Sequence, residues 1–255
     1  MDEAFKKSST RDTFESLVVT VILAIFGTTF VLQAFKIPTG SMEDTLLIGD
    51  HLLVNKYIFA PQGGGIAHLL PYRDLRHGDV VVFKFEPTDD QTEPGEHFVK
   101  RVIGLPGDHV RIFHRKVFVN GKMLDEPHVR HDPALADELR PGDDFPPMGD
   151  EYLSGATAAW EAEMSSVVQN GEIVVPLGKY FVMGDNREQS WDSRFWGFVD
   201  RSVVSGRPLL IYWSFETARD EYLHNTLIDR IGQIVDLIIH FPTKTRWRRT
   251  FKLVR

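Results

Sequence analysis

From Ile37 onward, apolar and polar positions follow one another in short runs broken by Gly, Pro, Asp and Asn. HLLVNKYIF starts at His51, GDVVVFKF at Gly78, HFVKRVIGL at His97, HVRIFHRKVFVNG at His109, GEIVVPLGKYFVMG at Gly171 and GRPLLIYWSF at Gly206. Runs of this length, alternating or wholly apolar and bounded by turn residues, predict strands. Asn120-Gly121 supplies the pair that tolerates positive φ in a tight hairpin turn. The pattern predicts a mainly β protein: a coiled antiparallel β-sheet domain with a smaller inserted subdomain.

Three stretches break this rhythm. Leu17 to Phe35 carries no charge and shows no polar face at helical spacing. At about 1.5 Å per residue it just crosses a hydrocarbon core about 30 Å thick, so it predicts one N-terminal transmembrane helix. Phe35, Lys36, Ile37 and Pro38 follow in place of a small-x-small site, which argues against a cleaved leader. Leu124 to Glu172 is acidic and punctuated by Pro and Gly; it reads as the inserted segment, with Ala134–Leu139 and Ala156–Val168 as short helical pieces, or equally as a solvated surface loop region. Thr226 to Phe241 places Leu227, Ile231, Ile234, Val235 and Ile238 at helical spacing, ahead of a tail rich in Lys and Arg. Asp229, Arg230 and Asp236 interrupt it, so it is too charged to span a bilayer; it either lies on an anionic lipid surface or caps the domain.

Charge orients the chain. Lys6, Lys7 and Arg11 precede the uncharged run and only Lys36 follows closely. The positive-inside rule then holds residues 1–16 in the cytoplasm, passes 17–35 through the membrane and sends 36–255 outside, with 124–172 as the acidic insertion. The net charge of −7 speaks against a nucleic-acid partner, which requires clustered cations. The absence of cysteine removes disulfides, thiol nucleophiles and Cys-based zinc sites. There is no HExxH; His128-x-x-His131 is a weak metal pattern, and no metal or cofactor is expected.

Candidate chemistry starts just beyond the apolar run, at Ile37-Pro-Thr-Gly-Ser-Met42. Gly40 permits a sharp bend and close approach of another chain, and Ser41 follows it. A serine hydroxyl needs a neighbouring base to become a nucleophile. A lysine serves only when neutral, and burial lowers its pKa because desolvation penalises the charged form. Lys100, among Phe98, Val99, Val102 and Ile103 on a predicted strand, meets that condition; on such a strand Arg101 points to the opposite face. His97 is the nearest rival base. Taken singly, Thr39-Gly40-Ser41 is a common turn and Lys100 a common strand lysine reaching for water.

Four segments in this order resemble the type I signal peptidases of bacteria: Ile37–Leu46, Gly49–Lys56, Gly78–Phe83 with Val99–Asp108, and Gly184–Gly197. The resemblance implies that Ser41 attacks the scissile carbonyl, Lys100 takes its proton, and Ser190 orients the lysine amine. It implies an oxyanion hole from the Ser41 N–H and the hydroxyl at position 39, where this chain carries Thr39 in place of the family's frequent serine. Asp192 and Arg194 resemble a supporting ion pair, and Asp185 and Asn186 read as turn formers. Phe35, Ile37 and Val99 are expected to line shallow pockets for small residues, with Met42 dipping toward lipid. The implied substrates are preproteins bearing signal peptides, cut at the outer face of the bacterial plasma membrane. Two rivals differ in class. A self-cleaving Ser/Lys repressor would be soluble and carry a DNA-binding helix-turn-helix. An anchored, non-enzymatic β-domain would leave the joint presence of these motifs without a reason.

Overall fold

The computed structural model describes residues 9–59, 72–85, 95–132, 142–147, 154–219 and 226–254. Along the chain come helix α1 (Ser9–Phe26), strands β1 (Leu32–Lys36), β2 (Asp50–Asn55), β3 (Val80–Lys84) and β4 (His97–Gly104). Next are β5 (His109–Phe113), β6 (Lys116–Val119), β7 (Lys122–Met123), α2 (Ala158–Val167), β8 (Val168–Gln169) and β9 (Glu172–Val174). Then follow β10 (Lys179–Met183), α3 (Ser193–Trp196), β11 (Val199–Asp200), β12 (Val204–Ser214), α4 (Leu227–Lys244) and β13 (Lys252–Leu253).

The larger sheet runs β1-β2-β12-β3-β4-β10-β11, with β13 also on β12, and every pairing is antiparallel. It curls on itself: the ring of Phe35 on edge strand β1 comes within 5.0 Å of His97 on β4. Strand β12 shifts register between Val204 and Gly206, Pro208 and Leu210, and Ile211 and Trp213. Such bulges bend a strand and sharpen its twist, which is what a curled sheet needs. The smaller sheet, β7-β6-β5-β9-β8, packs Val110, Ile112, Val117 and Ile173 against Phe145, Trp160 and Met164. Asn120 and Gly121, at φ of +52° and +72°, form the tight turn between β6 and β7.

The strand runs therefore fold as the mainly β pattern indicates. The other stretches refine it. The uncharged run is not one helix from 17 to 35. Its α-helix stops at Phe26, one wide turn spans Gly27–Val31, and Leu32–Lys36 is strand β1. The backbone of β1 is taken up by pairing with β2, from Leu32 opposite Asn55 to Lys36 opposite His51. Among the described residues no helix is long and apolar enough to cross a membrane. The smaller subdomain begins at His109, earlier than Leu124, because β5 and β6 belong to its sheet. Helix α2 forms where Ala156–Val168 predicts one, capped by the Thr157 hydroxyl; Ala134–Leu139 lies outside the described residues.

Met42 does not face outward. It is buried with Ile37, Leu46, Leu52 and Val254 in the core beneath the β1–β2 loop. The basic tail is also partly internal. Arg246 donates to the Ile48 carbonyl (2.9 Å), and Arg249 donates to Asp50 (2.6 Å) and to the Thr45 carbonyl (3.0 Å).

Candidate active site

The β1–β2 loop, residues 37–49, presents Ser41. Its base is closed by Ile37 N–H donating to the Asp50 carbonyl and Gly49 N–H to the Ile37 carbonyl, both at 2.9 Å. Met42 and Leu46 fasten it to the core, and Thr39 stays exposed. A second loop, residues 184–192 after β10, lies against it. Asn186 N–H donates to the Ser41 carbonyl (3.1 Å), and the Asn186 amide donates to the Gly40 carbonyl (3.1 Å).

Gly184 is where the parts converge. A Cβ there would stand 2.2 Å from Ser190 Oγ and 2.4 Å from the Ser41 carbonyl oxygen, so only glycine fits. Its N–H donates to Asp192 (3.0 Å). In the β10–β4 register Val182 faces Val102 and Met183 faces Arg101, so one step further Gly184 comes level with Lys100. The serine loop, Ser190, Asp192 and the Lys100 end of the strand thus surround one glycine.

Lys100 is 4% exposed, and its ammonium lies 5.8 Å from the centre of the Phe98 ring. Burial is the main influence on it and lowers its pKa from 10.5 to about 8; Asp192 opposes that shift, Arg194 adds to it, and Asp185 opposes it. Asp192 and Arg194 form a buried, two-pronged ion pair (2.8 and 2.9 Å), and Arg194 also reaches the Arg187 carbonyl (2.7 Å). Burial would raise the Asp192 pKa, but Arg194, Lys100 and the Gly184 N–H together hold it below the usual carboxylate range. Ser190 Oγ is buried and has no hydrogen-bond partner among the described residues.

Phe35 and Val99 pack against the core that holds Ile37. Strand β10 covers only Arg101–Gly104 of β4. The edge of His97–Lys100 away from β3 has no strand partner among the described residues, and β1 is likewise unpaired on its outer side. His97, at the mouth of this gap, is exposed. Burial, then Lys84 and Lys56, lower its pKa.

Sequence reasoning missed the scaffold of charges around the site. Asp185, read as a turn former, is fully buried; it accepts from Arg101 at 2.7 and 2.8 Å and from the Thr45 hydroxyl at 2.5 Å. Arg101 points away from Lys100, as strand alternation requires, but into a buried pair and not to solvent. Glu43, buried two residues past Ser41, accepts from Arg130 (3.1 Å) and Arg219 (2.9 Å). The only sequence signal for these was that each sits within two residues of a motif residue. His128 lies 3.8 Å from Asp185 and His131 2.8 Å from Glu188, so the two histidines serve different partners.

The loop that carries Ser41 thus packs against Gly184, and β4 carries a buried amine, Lys100. Comparison with known proteins gives the family. The model of "Signal peptidase, peptidase S26" matches residues 10–213. A probable signal peptidase I-2 of Synechocystis sp. is 38% identical over 78% of this chain and 71% of its own length. Signal peptidase I of Pseudomonas aeruginosa is 33% identical, covering 80% and 72%, and signal peptidase IB of Staphylococcus aureus is 34% identical, covering 82% and 89%. A crystal structure of a signal peptidase I from Enterococcus faecalis V583, 25% identical, aligns with 53% of this chain and 97% of that chain at a TM-score of 0.34. The chain belongs to the signal peptidase family, peptidase S26, and is a serine endopeptidase.

Proposed function

We propose that this enzyme removes N-terminal signal peptides from exported preproteins after small-x-small sites, through an acyl-enzyme on Ser41 with Lys100 as general base. The observation that carries the reading is Lys100: a buried lysine whose pKa falls to about 8 is far more often neutral near neutral pH than a free lysine, so its amine can accept a proton. Lys100 takes the proton from Ser41 Oγ as that oxygen attacks the scissile carbonyl, and then passes it to the departing amine. Water, deprotonated by the same amine, releases the acyl group. The Ser41 N–H and the Thr39 hydroxyl stabilise the oxyanion; one such donor is worth about 3 to 4 kcal/mol of barrier. Ser190, unpartnered and buried in the resting structure, orients the amine, and the Asp192–Arg194 pair fixes the loop that carries it.

An extended substrate fits between the free edges of β1 and β4, pairing its backbone with both, while Phe35, Ile37 and Val99 bound its small side chains. Placement fits as well: α1 leads through a single turn into β1, and Ser41 follows five residues after Lys36, so the nucleophile stays near the surface of the membrane that α1 enters. In this reading the N-terminus is cytoplasmic and the β domain faces outward.

The test is cleavage of a preprotein carrying an Ala-x-Ala site by the detergent-purified protein and by Lys100→Met. Cleavage by the first alone, with both folded, is the expected result. Equal cleavage by both removes Lys100 as the base and transfers the role to His97.

A further inference from the structure

We propose that α4 is an interfacial membrane helix whose apolar face rests in the lipid of the bilayer that holds α1, fixing the height of the Ser41 loop above that surface. The inference rests on the membrane placement above and concerns a segment beyond residues 10–213, the part that the family model matches.

Helix α4 is amphipathic but mounted in reverse. Ile231, Ile234, Ile238 and Ile239 are 56–71% exposed, and Val235 47%. Polar residues of the other face, Asp229, Gln233, Asp236 and Lys244, are half-buried. A cavity of about 670 Å³ between the helix and the sheet is lined from α4 by Gln233, Asp236 and Lys244, together with Ile234 and Leu237, and by His51 and Trp213 from the strands. A helix serving only the protein's own core would present all its isoleucines there, whereas Ile231, Ile238 and Ile239 do not line it. The helix is closed off at both ends. Thr226 and Asp229 form a reciprocal cap at the start of α4, and at its end Lys244 is held by Asp236 (2.7 Å) while Thr245 is buried in a bridge to Phe215.

Charge selects the occupant. The whole chain carries −7, yet Lys244, Arg246, Arg248, Arg249, Lys252 and Arg255 follow one another with no acidic residue between them. Two of these, Arg246 and Arg249, are turned inward, while Arg248 and Lys252 are exposed beside Trp247, Phe251 and Leu253, which are exposed too. An apolar helix face followed by exposed cations and aromatics matches an anionic bilayer surface, where the rings sit among headgroups and the cations meet lipid phosphates. Helix α1 likewise exposes an apolar surface, with Leu17, Ile22, Leu23 and Ile25 all exposed. The tie to catalysis is covalently short: Thr245 ends the helix, and Arg246 and Arg249 bind the carbonyls of Ile48 and Thr45 in the loop that carries Ser41.

Because the chain has no cysteine, a single environment-sensitive fluorophore can be placed at Ile238→Cys or, on the opposite face, at His240→Cys in the full chain. In vesicles containing about one-third phosphatidylglycerol, a lipid-borne quencher is expected to quench the first label several-fold more than the second. Equal quenching of the two, or none of either, overturns the proposal. Protection of the Ile238 label that depends on protein concentration and not on lipid would assign the face to a second copy, and so overturn it too. An activity arm separates this from the catalytic reading. Ile234→Asp with Ile238→Asp is expected to slow cleavage of a vesicle-embedded preprotein about tenfold while leaving cleavage of a short soluble peptide unchanged. Equal loss on both substrates, or none on either, overturns the docking role. Failure of the catalytic reading shows instead as activity surviving in Lys100→Met.

Discussion

Lys100 and Arg101 are consecutive cations on β4, both buried, and they face two very different surroundings. Arg101 looks into a region saturated with partners: both oxygens of Asp185, the Gly78 carbonyl at 2.7 Å and the Thr45 hydroxyl at 3.2 Å. Lys100 looks into a region where the nearby carboxylate, Asp192, is already held by Arg194 and the Gly184 N–H. One cation is neutralised by geometry and its charge is fixed. The other is desolvated with little compensation and its charge becomes negotiable. A buried cation with a dedicated carboxylate is scaffold, and one whose neighbouring carboxylate is engaged elsewhere is poised to exchange protons.

The sharpest way to break this contrast is to replace each cation in turn. Lys100→Met is expected to reduce cleavage roughly ten-thousand-fold or more, as loss of a base that activates a nucleophile does, read from single-turnover kinetics. Arg101→Met is expected to act on the fold, costing about 3–5 kcal/mol because Asp185 is left buried and unpaired, read from denaturant midpoints.

The contrast also has a pH signature. The folded pKa of Lys100, about 8, lies below its ordinary 10.5, so between those values the unfolded chain holds more protons. Stability should therefore rise with pH through that window, by about 3 kcal/mol in total, and Lys100→Met should abolish the rise. Cleavage should climb with a midpoint near pH 8 for the same reason, checked by kcat/KM profiles. A smaller effect belongs to the support below the loop. Arg249→Ala is expected to cost about 2 kcal/mol, the worth of a charged hydrogen bond to Asp50 and a carbonyl, measured by thermal unfolding. Smallest of all, Ser190→Ala should change stability by under about 1 kcal/mol, since its hydroxyl has no partner among the described residues to lose, while still slowing cleavage.

Much of this was legible in the chain. Short alternating runs located β2 to β6, β9, β10 and β12, because a strand's burial pattern is local and has period two, while the two-residue strands β7, β8 and β11 fell outside those runs. Asn120-Gly121 marked a turn for the same local reason. What escaped notice depends on distance. Asp185 reads as a turn residue until Arg101, 84 positions earlier, is folded onto it. Nothing local says that Leu32–Lys36 will leave a helical apolar run, since the competing partner, β2, lies beyond the next loop. The amphipathic pattern of α4 was plain, but a periodic stripe gives no sign of which way it faces. The tail showed only its basic character because Asp50, its principal acceptor, is 199 residues away.

That last separation bears on timing. The loop carrying Ser41 is synthesised early, but Arg249 supplies the donor to its Thr45 carbonyl only after the chain has grown by a further 204 residues, and Val254 completes the core under Met42 later still. Throughout synthesis the loop that carries Ser41 therefore lacks part of its floor. A loop assembled in this order reaches its folded form only once its distant segments have met.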